Sequence, residues 1–173
     1  MTTQAVTRAG APRTRPLAAP GGRTQILETW QWVPKGLEET FAFFSDATNL
    51  ETITPAFMGF EIRTPRPIEM RAGTLIEYRI RLLGVPMPWL TRIDHWEPGR
   101  LFVDRQLRGP YARWVHLHTF AAERGGTRLG DRVEYALPFD PLSRPAHVLY
   151  ARPMVERIFD HRRMVITERF GSE

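Results

Sequence analysis

From Phe60 to Leu137 the apolar period of the chain is two, and it holds through six consecutive segments joined by turns too short for a crossover. The segments are Phe60–Arg63, Gly73–Leu83, Trp89–Trp96, Leu101–Leu107, Trp114–Ala122 and Thr127–Leu137. Turn signals fall between them: Pro65-Arg66-Pro67, Gly84-Val85-Pro86, Glu97-Pro98-Gly99, Gly109-Pro110 and Gly125-Gly126. Parallel neighbours need a long crossover, so the pattern predicts an antiparallel meander.

The flanks follow other periods. Thr24–Val33 reads as a first strand, with Ile26, Glu28, Trp30 and Trp32 on one mostly apolar face. Pro34-Lys35-Gly36 ends it. Leu37 to Asp46 predicts a helix, since Leu37, Phe41 and Phe44 share a face and Glu38-Glu39 suit its positive end. Asn49–Ile53 predicts one further short helical turn before Pro55. After Pro141 the helical period returns as far as Phe170. Val148, Ala151, Val155, Ile158, Phe159, Val165, Ile166 and Phe170 form its stripe, and Pro153 should kink or split it. A single sheet cannot bury an apolar face alone, and only this last helix is large enough to cover it. A curved sheet wrapped on one helix tends to leave space between the two.

Composition narrows the chemistry. The chain has 173 residues, which suits one domain. It has no cysteine, which excludes thiolate nucleophiles, disulfides and cysteine-ligated metal clusters. The net charge of +5 is carried largely by Arg8, Arg13, Arg15 and Arg23; residues 24–173 hold 20 basic and 19 acidic side chains. That near-neutral body offers no basic face for nucleic acid. Residues 1–22 are expected to be a disordered, Arg-rich tail and 24–170 the folded domain. No apolar run is long enough for a membrane span, and nothing resembles a secretory signal, so stable membrane insertion is not expected and a cytoplasmic location is. Lys35 is the only lysine and a poor Schiff-base candidate.

The order of elements, with particular residues, resembles the START-like (SRPBCC) superfamily. Within it, the chain is most similar to the bacterial polyketide cyclase/dehydrase and lipid-transport type. The resemblance rests on Phe43-Phe44-Ser45, Asn49-Leu50-Glu51, Ile53-Thr54-Pro55, Gly73–Tyr78, Trp96-Glu97-Pro98, Phe102–Gln106, Gly109-Pro110-Tyr111, Trp114–Phe120, Asp131–Tyr135 with Pro138, and Ile158-Phe159. It spans roughly residues 24–170. It implies an α+β helix-grip fold in β-αα-β6-α order, with about seven antiparallel strands curved around a long C-terminal helix. It also implies binding of a small hydrophobic ligand between sheet and helix. It supplies no universal catalytic motif, so the site must come from the residues.

Alternation assigns the faces. Ile76, Tyr78, Ile80 and Leu82 point opposite to Glu77, Arg79 and Arg81; Trp89, Thr91 and Ile93 oppose Arg92 and Asp94; Leu129, Asp131, Val133 and Tyr135 oppose Arg128, Arg132 and Glu134. If Glu123–Gly126 form a four-residue loop, Ala122 faces Thr127, Phe120 faces Leu129, His118 faces Asp131 and Trp114 faces Tyr135. A symmetric loop around Pro110 then sets His116 opposite Asp104. The expected ligand-binding set is Tyr78, Trp89, Thr91, Phe102, Asp104, Gln106, Trp114, His116, His118, Phe120, Asp131 and Tyr135.

Three readings of that set compete. His116 and His118 alternate on one strand and could ligate a metal with Asp104 or Asp131, but no further histidine is well placed. The expectation is instead two cavity histidines held by carboxylates, with no metal and no cofactor. Histidines so held could act as acids and bases, which makes His116, His118, Asp104, Asp131 and Tyr135 the candidates for cyclisation or dehydration. Binding without turnover is the leading reading, cyclase or dehydratase the second, and an accessory protein with a filled interior the third. Arg162-Arg163 reads as a solvated face.

Overall fold

The computed structural model describes residues 24–171. The named segments form one seven-stranded antiparallel sheet in the order β1-β7-β6-β5-β4-β3-β2. The strands are β1 (Gln25–Val33), β2 (Glu61–Ile62), β3 (Leu75–Leu82), β4 (Val85–Glu97), β5 (Leu101–Arg108), β6 (Arg113–Glu123) and β7 (Gly126–Ala136). Between β1 and β2 lie α1 (Leu37–Ser45) and α2 (Leu50–Ile53). After β7 come a short α3 (Arg144–Ala146), a π-helical turn (His147–Ala151) and the long α4 (Arg152–Phe170). The sheet wraps around α4, the element order that the sequence predicts.

Local chemistry explains the register. The hairpins β3–β4 and β6–β7 each close on two residues, Leu83-Gly84 and Arg124-Gly125, all four with positive φ. That geometry matches the right-handed twist of the flanking strands. It fixes Ala122 opposite Thr127, Phe120 opposite Leu129 and His118 opposite Asp131. Across the next pair, His116 lies opposite Asp104. Between β4 and β5 the register shifts twice, at Leu90/Thr91 and at Ile93/His95. Such bulges bend a strand and sharpen its twist, which helps the sheet curl over α4.

Three expectations are corrected. On β1 the face carrying Ile26, Glu28 and Trp30 is the outer one, with Trp30 64% exposed. Val33 is buried, and Leu27 packs against the buried cluster of Val133, Tyr135, Val155 and Phe159. Trp30 finds its partner outside, under the Arg128 guanidinium 5.2 Å away. Val148 is exposed and leaves the C-terminal stripe, because the π-helical turn shifts the helical phase just before Pro153. Proline has no N–H for the carbonyl four residues back, and the wider turn accommodates that loss. Lastly, Arg162 is not solvated: its side chain is 11% exposed and faces the sheet.

Packing sorts the interior into two parts. Phe41, Phe43 and Phe44 of α1 meet Phe102, Phe120 and Leu129 of the sheet and Ile166 of α4 in a continuous core. Phe41 meets Phe120 edge-on at 5.1 Å, while Phe102 stacks on Phe120 at 6.0 Å. Towards β3 and β4 the packing opens.

Candidate functional site

Between the sheet and α4 lies a cavity of about 150 Å3. From β3 and β4 it is lined by Ile76, Tyr78, Ile80, Trp89, Thr91 and Ile93. The far wall is Phe102 and Asp104 of β5 with Trp114, His116 and His118 of β6. Met154, Ile158, Phe159 and Arg162 of α4 close it from above. The alternation of each strand puts these side chains on one face, and the bulges between β4 and β5 keep that face concave.

Eight of the twelve residues expected at the site line the cavity. The other four sit behind it. Gln106 holds the Tyr111 backbone, donating from Nε2 to its carbonyl at 2.7 Å and accepting from its N–H at 3.3 Å. Tyr111 itself is a lining residue, so Gln106 acts through the loop it clamps. Phe120 belongs to the aromatic core beside Phe41 and Phe44. The Tyr135 hydroxyl is within 3.1 Å of His147 Nε2, towards the start of the C-terminal helical segment. Asp131 stands beneath the two histidines.

The polar cluster has a crossed geometry. Each histidine lies opposite one aspartate in register but bonds most closely to the diagonal one. His116 Nε2 lies 2.8 Å from Asp131 Oδ1, and His118 Nε2 lies 2.8 Å from Asp104 Oδ2. The directly opposed contacts are longer, 3.6 Å for His116 Nδ1 to Asp104 and 3.3 Å for His118 Nδ1 to Asp131. Stacking explains the crossing: the two imidazoles lie 3.7 Å apart, and Phe102 covers His118 at 4.1 Å. From α4, Arg162 Nη2 reaches Asp131 Oδ1 at 3.2 Å and His118 Nδ1 at 3.3 Å.

These contacts set the protons. A guanidinium only donates, so His118 Nδ1 accepts and its proton sits on Nε2, donated to Asp104. Burial, with His118 alongside, pushes the His116 imidazole down to about 4, so near neutrality it is uncharged and donates Nε2–H to Asp131. Burial alone would push the Asp131 carboxyl up, but the Arg162 charge and the bond from His116 hold it well below the usual range. For Asp104, the same burial is outweighed by the His118 bond, the two imidazoles alongside and the Arg162 charge. Across the cavity, Thr91 Oγ1 accepts from Trp89 Nε1 at 3.0 Å and meets the Tyr78 hydroxyl at 3.1 Å. Burial, and the charge of Asp104, hold the Tyr78 phenol well above its ordinary value, so it stays protonated.

Metal ligation has a geometric basis. One donor atom each of Asp104, His116 and His118 lies within 4.8 Å of the other two. Arg162 argues against a cation there, since it occupies His118 Nδ1 and already brings positive charge to the carboxylates. Sequence reasoning missed Arg162, although its spacing with Val155, Phe159 and Ile166 put it on the buried stripe. The expected solvated face holds for Arg163, which is 49% exposed, and not for Arg162.

No protein-family model matches the chain, and no curated protein does. Solved structures do. The ZhuI aromatase/cyclase from Streptomyces sp. R1128 superposes with a TM-score of 0.67 at 16% identity, over 85% of this chain and 93% of that one. A norcoclaurine synthase point mutant from Thalictrum flavum, solved with a transition-state analogue, gives 0.60 at 12% identity, over 86% and 98%. Ara h 8.0201 gives 0.57 at 15% identity, over 84% and 99%. Among the described residues no helix is long and apolar enough to cross a membrane. The sheet order, the terminal helix and these superpositions together give the chain a helix-grip fold.

Proposed function

We propose that this protein binds a small, largely apolar organic molecule in the cavity between the sheet and α4. The observation that carries the reading is an aromatic-walled space with one compact polar cluster on its wall, the usual form of a small-molecule site. A volume of about 150 Å3 suits a ligand of one or two rings better than a long acyl chain. Naphthalene, titrated by calorimetry and by thermal unfolding, tests this. Binding should raise stability by about 3 kcal/mol at a hundredfold excess over Kd. No heat and no shift in melting temperature would remove the reading.

One observation favours turnover as a second reading. His116 gives its Nε2 proton to Asp131 and so keeps a lone pair on Nδ1, the arrangement of an oriented general base. Two structural neighbours are named as enzymes, an aromatase/cyclase and a norcoclaurine synthase. Against it, an imidazole held down to about 4 is a weak base at neutral pH. Incubation with poly-β-ketone substrates, analysed by mass spectrometry, separates the two: water loss or ring closure that disappears in His116→Ala would establish the enzyme.

A further inference from the structure

We propose that the cavity selects a ring-sized ligand carrying a hydrogen-bond donor, a phenolic or enolic hydroxyl, and disfavours carboxylates. This rests on the binding role proposed above and names the ligand class for that site.

The argument starts from the polar atoms left over. Asp104 Oδ2 receives the His118 proton, but among the described residues no donor reaches Asp104 Oδ1. His116 Nδ1 is likewise unpaired: its near neighbour is Asp104 Oδ2 at 3.6 Å, and an acceptor cannot bond an acceptor. Both residues line the cavity. Among the described residues, no other donor lining the cavity bonds either acceptor. Arg162 turns Nη2 to Asp131 and His118 while its guanidinium packs over Phe44 at 5.0 Å, and the Tyr78 and Thr91 hydroxyls bond each other. Both acceptors face the cavity, where a donor from the ligand would pair them.

Charge points the same way. Arg162 is the one cation among the described lining residues, while Asp46 and Asp104 line the cavity and Asp131 lies directly beneath. Among Asp104, Asp131 and Arg162, two carboxylates face one guanidinium. A carboxylate entering this space meets like charge with little water to screen it. A hydroxyl adds no charge and places its proton between the two free acceptors.

Three matched compounds test the idea: 2-naphthol, its methyl ether 2-methoxynaphthalene, and 2-naphthoate. The expected result is that 2-naphthol binds at least tenfold tighter than the other two, and that Asp104→Asn reduces this preference to threefold or less. Asn is isosteric and still accepts from His118, but turns an amide N–H towards the ligand. Equal or tighter binding of the ether or the carboxylate overturns the proposal while leaving the binding role intact. So does a tenfold preference that survives Asp104→Asn. Should that variant not fold, the wild-type comparison of the three compounds decides alone. Failure of all three to bind removes the binding role itself, and this inference with it.

Discussion

Arg162 is a charged anchor of α4 on the sheet. Its guanidinium meets Asp131 at 3.2 Å in a nearly dry environment, so removing it leaves a buried carboxylate without its cation. Arg162→Gln should destabilise the protein by about 3–5 kcal/mol in urea unfolding, whereas Arg163→Gln, half-exposed beside it, should stay within about 0.5 kcal/mol. Equal effects from the two would contradict the buried placement. The histidine beneath gives a pH signature. His116 titrates near 6.5 in the unfolded chain and at about 4 in the folded one. Between those values the unfolded chain binds more protons, so stability is full above about pH 6.5 and falls as the pH drops towards 4. The span corresponds to about 3 kcal/mol. Asp104 and Asp131, held below 3.8, extend the loss in the same direction at still lower pH. Urea midpoints measured across this range should slope for the wild type and flatten in His116→Gln; a flat wild-type profile would refute the assignment. The histidine–aspartate register was legible in the sequence because a side-chain period of two leaves few alternatives once a turn is fixed. The crossed bonding was not, because it depends on how two rings stack.

At the scale of elements, turn chemistry carries most of the information. Arg124-Gly125 closes β6 onto β7 in two residues, and the pairing runs unbroken from Glu123↔Gly126 to Arg113↔Ala136. Local residues dictate that geometry, so the chain itself announces the hairpin. The edge strand β1 is harder to read, since Ile26 and Trp30 on one parity compete with Leu27 and Val33 on the other. Only the pairing with β7 decides between them. Gly126 shows how tight that junction is. A Cβ there would collide with the Val33 carbonyl oxygen and the Trp32 ring, and a backbone carbonyl in a strand cannot swing aside as a side chain can. Gly126→Ala should therefore loosen the end of β1 from β7 and cost about 2 kcal/mol. Hydrogen exchange on β1 amides would report it: Val33 and Trp32 should lose protection, while the β3–β4 hairpin keeps its own. Uniform loss across the sheet would mean a global effect instead.

For the whole molecule, the decisive property is that the sheet and α4 do not meet everywhere. Around Phe41, Phe120 and Ile166 they pack solid; around Tyr78, Thr91 and Met154 they leave a space of about 150 Å3. A filled accessory protein and a ligand carrier share every strand and helix, and differ only in this gap. The order of elements therefore could not separate them, since volume is set by how far the bulges between β4 and β5 bend the sheet. Met154→Trp turns the difference into a measurement. Met154 lies on α4 with its side chain against the cavity, and an indole there would occupy part of it. In a close-packed interior such an enlargement costs about 1–3 kcal/mol. In a real cavity the ring enters existing space, gains contacts and leaves stability unchanged or raised. The expected outcome is wild-type or higher stability together with at least a tenfold loss of naphthalene affinity. Destabilisation beyond about 1 kcal/mol would mean that helix and sheet already touch at this point. Unchanged affinity in a stable variant would mean that the guest sits elsewhere, and either result would separate the fold of this chain from the function proposed for it.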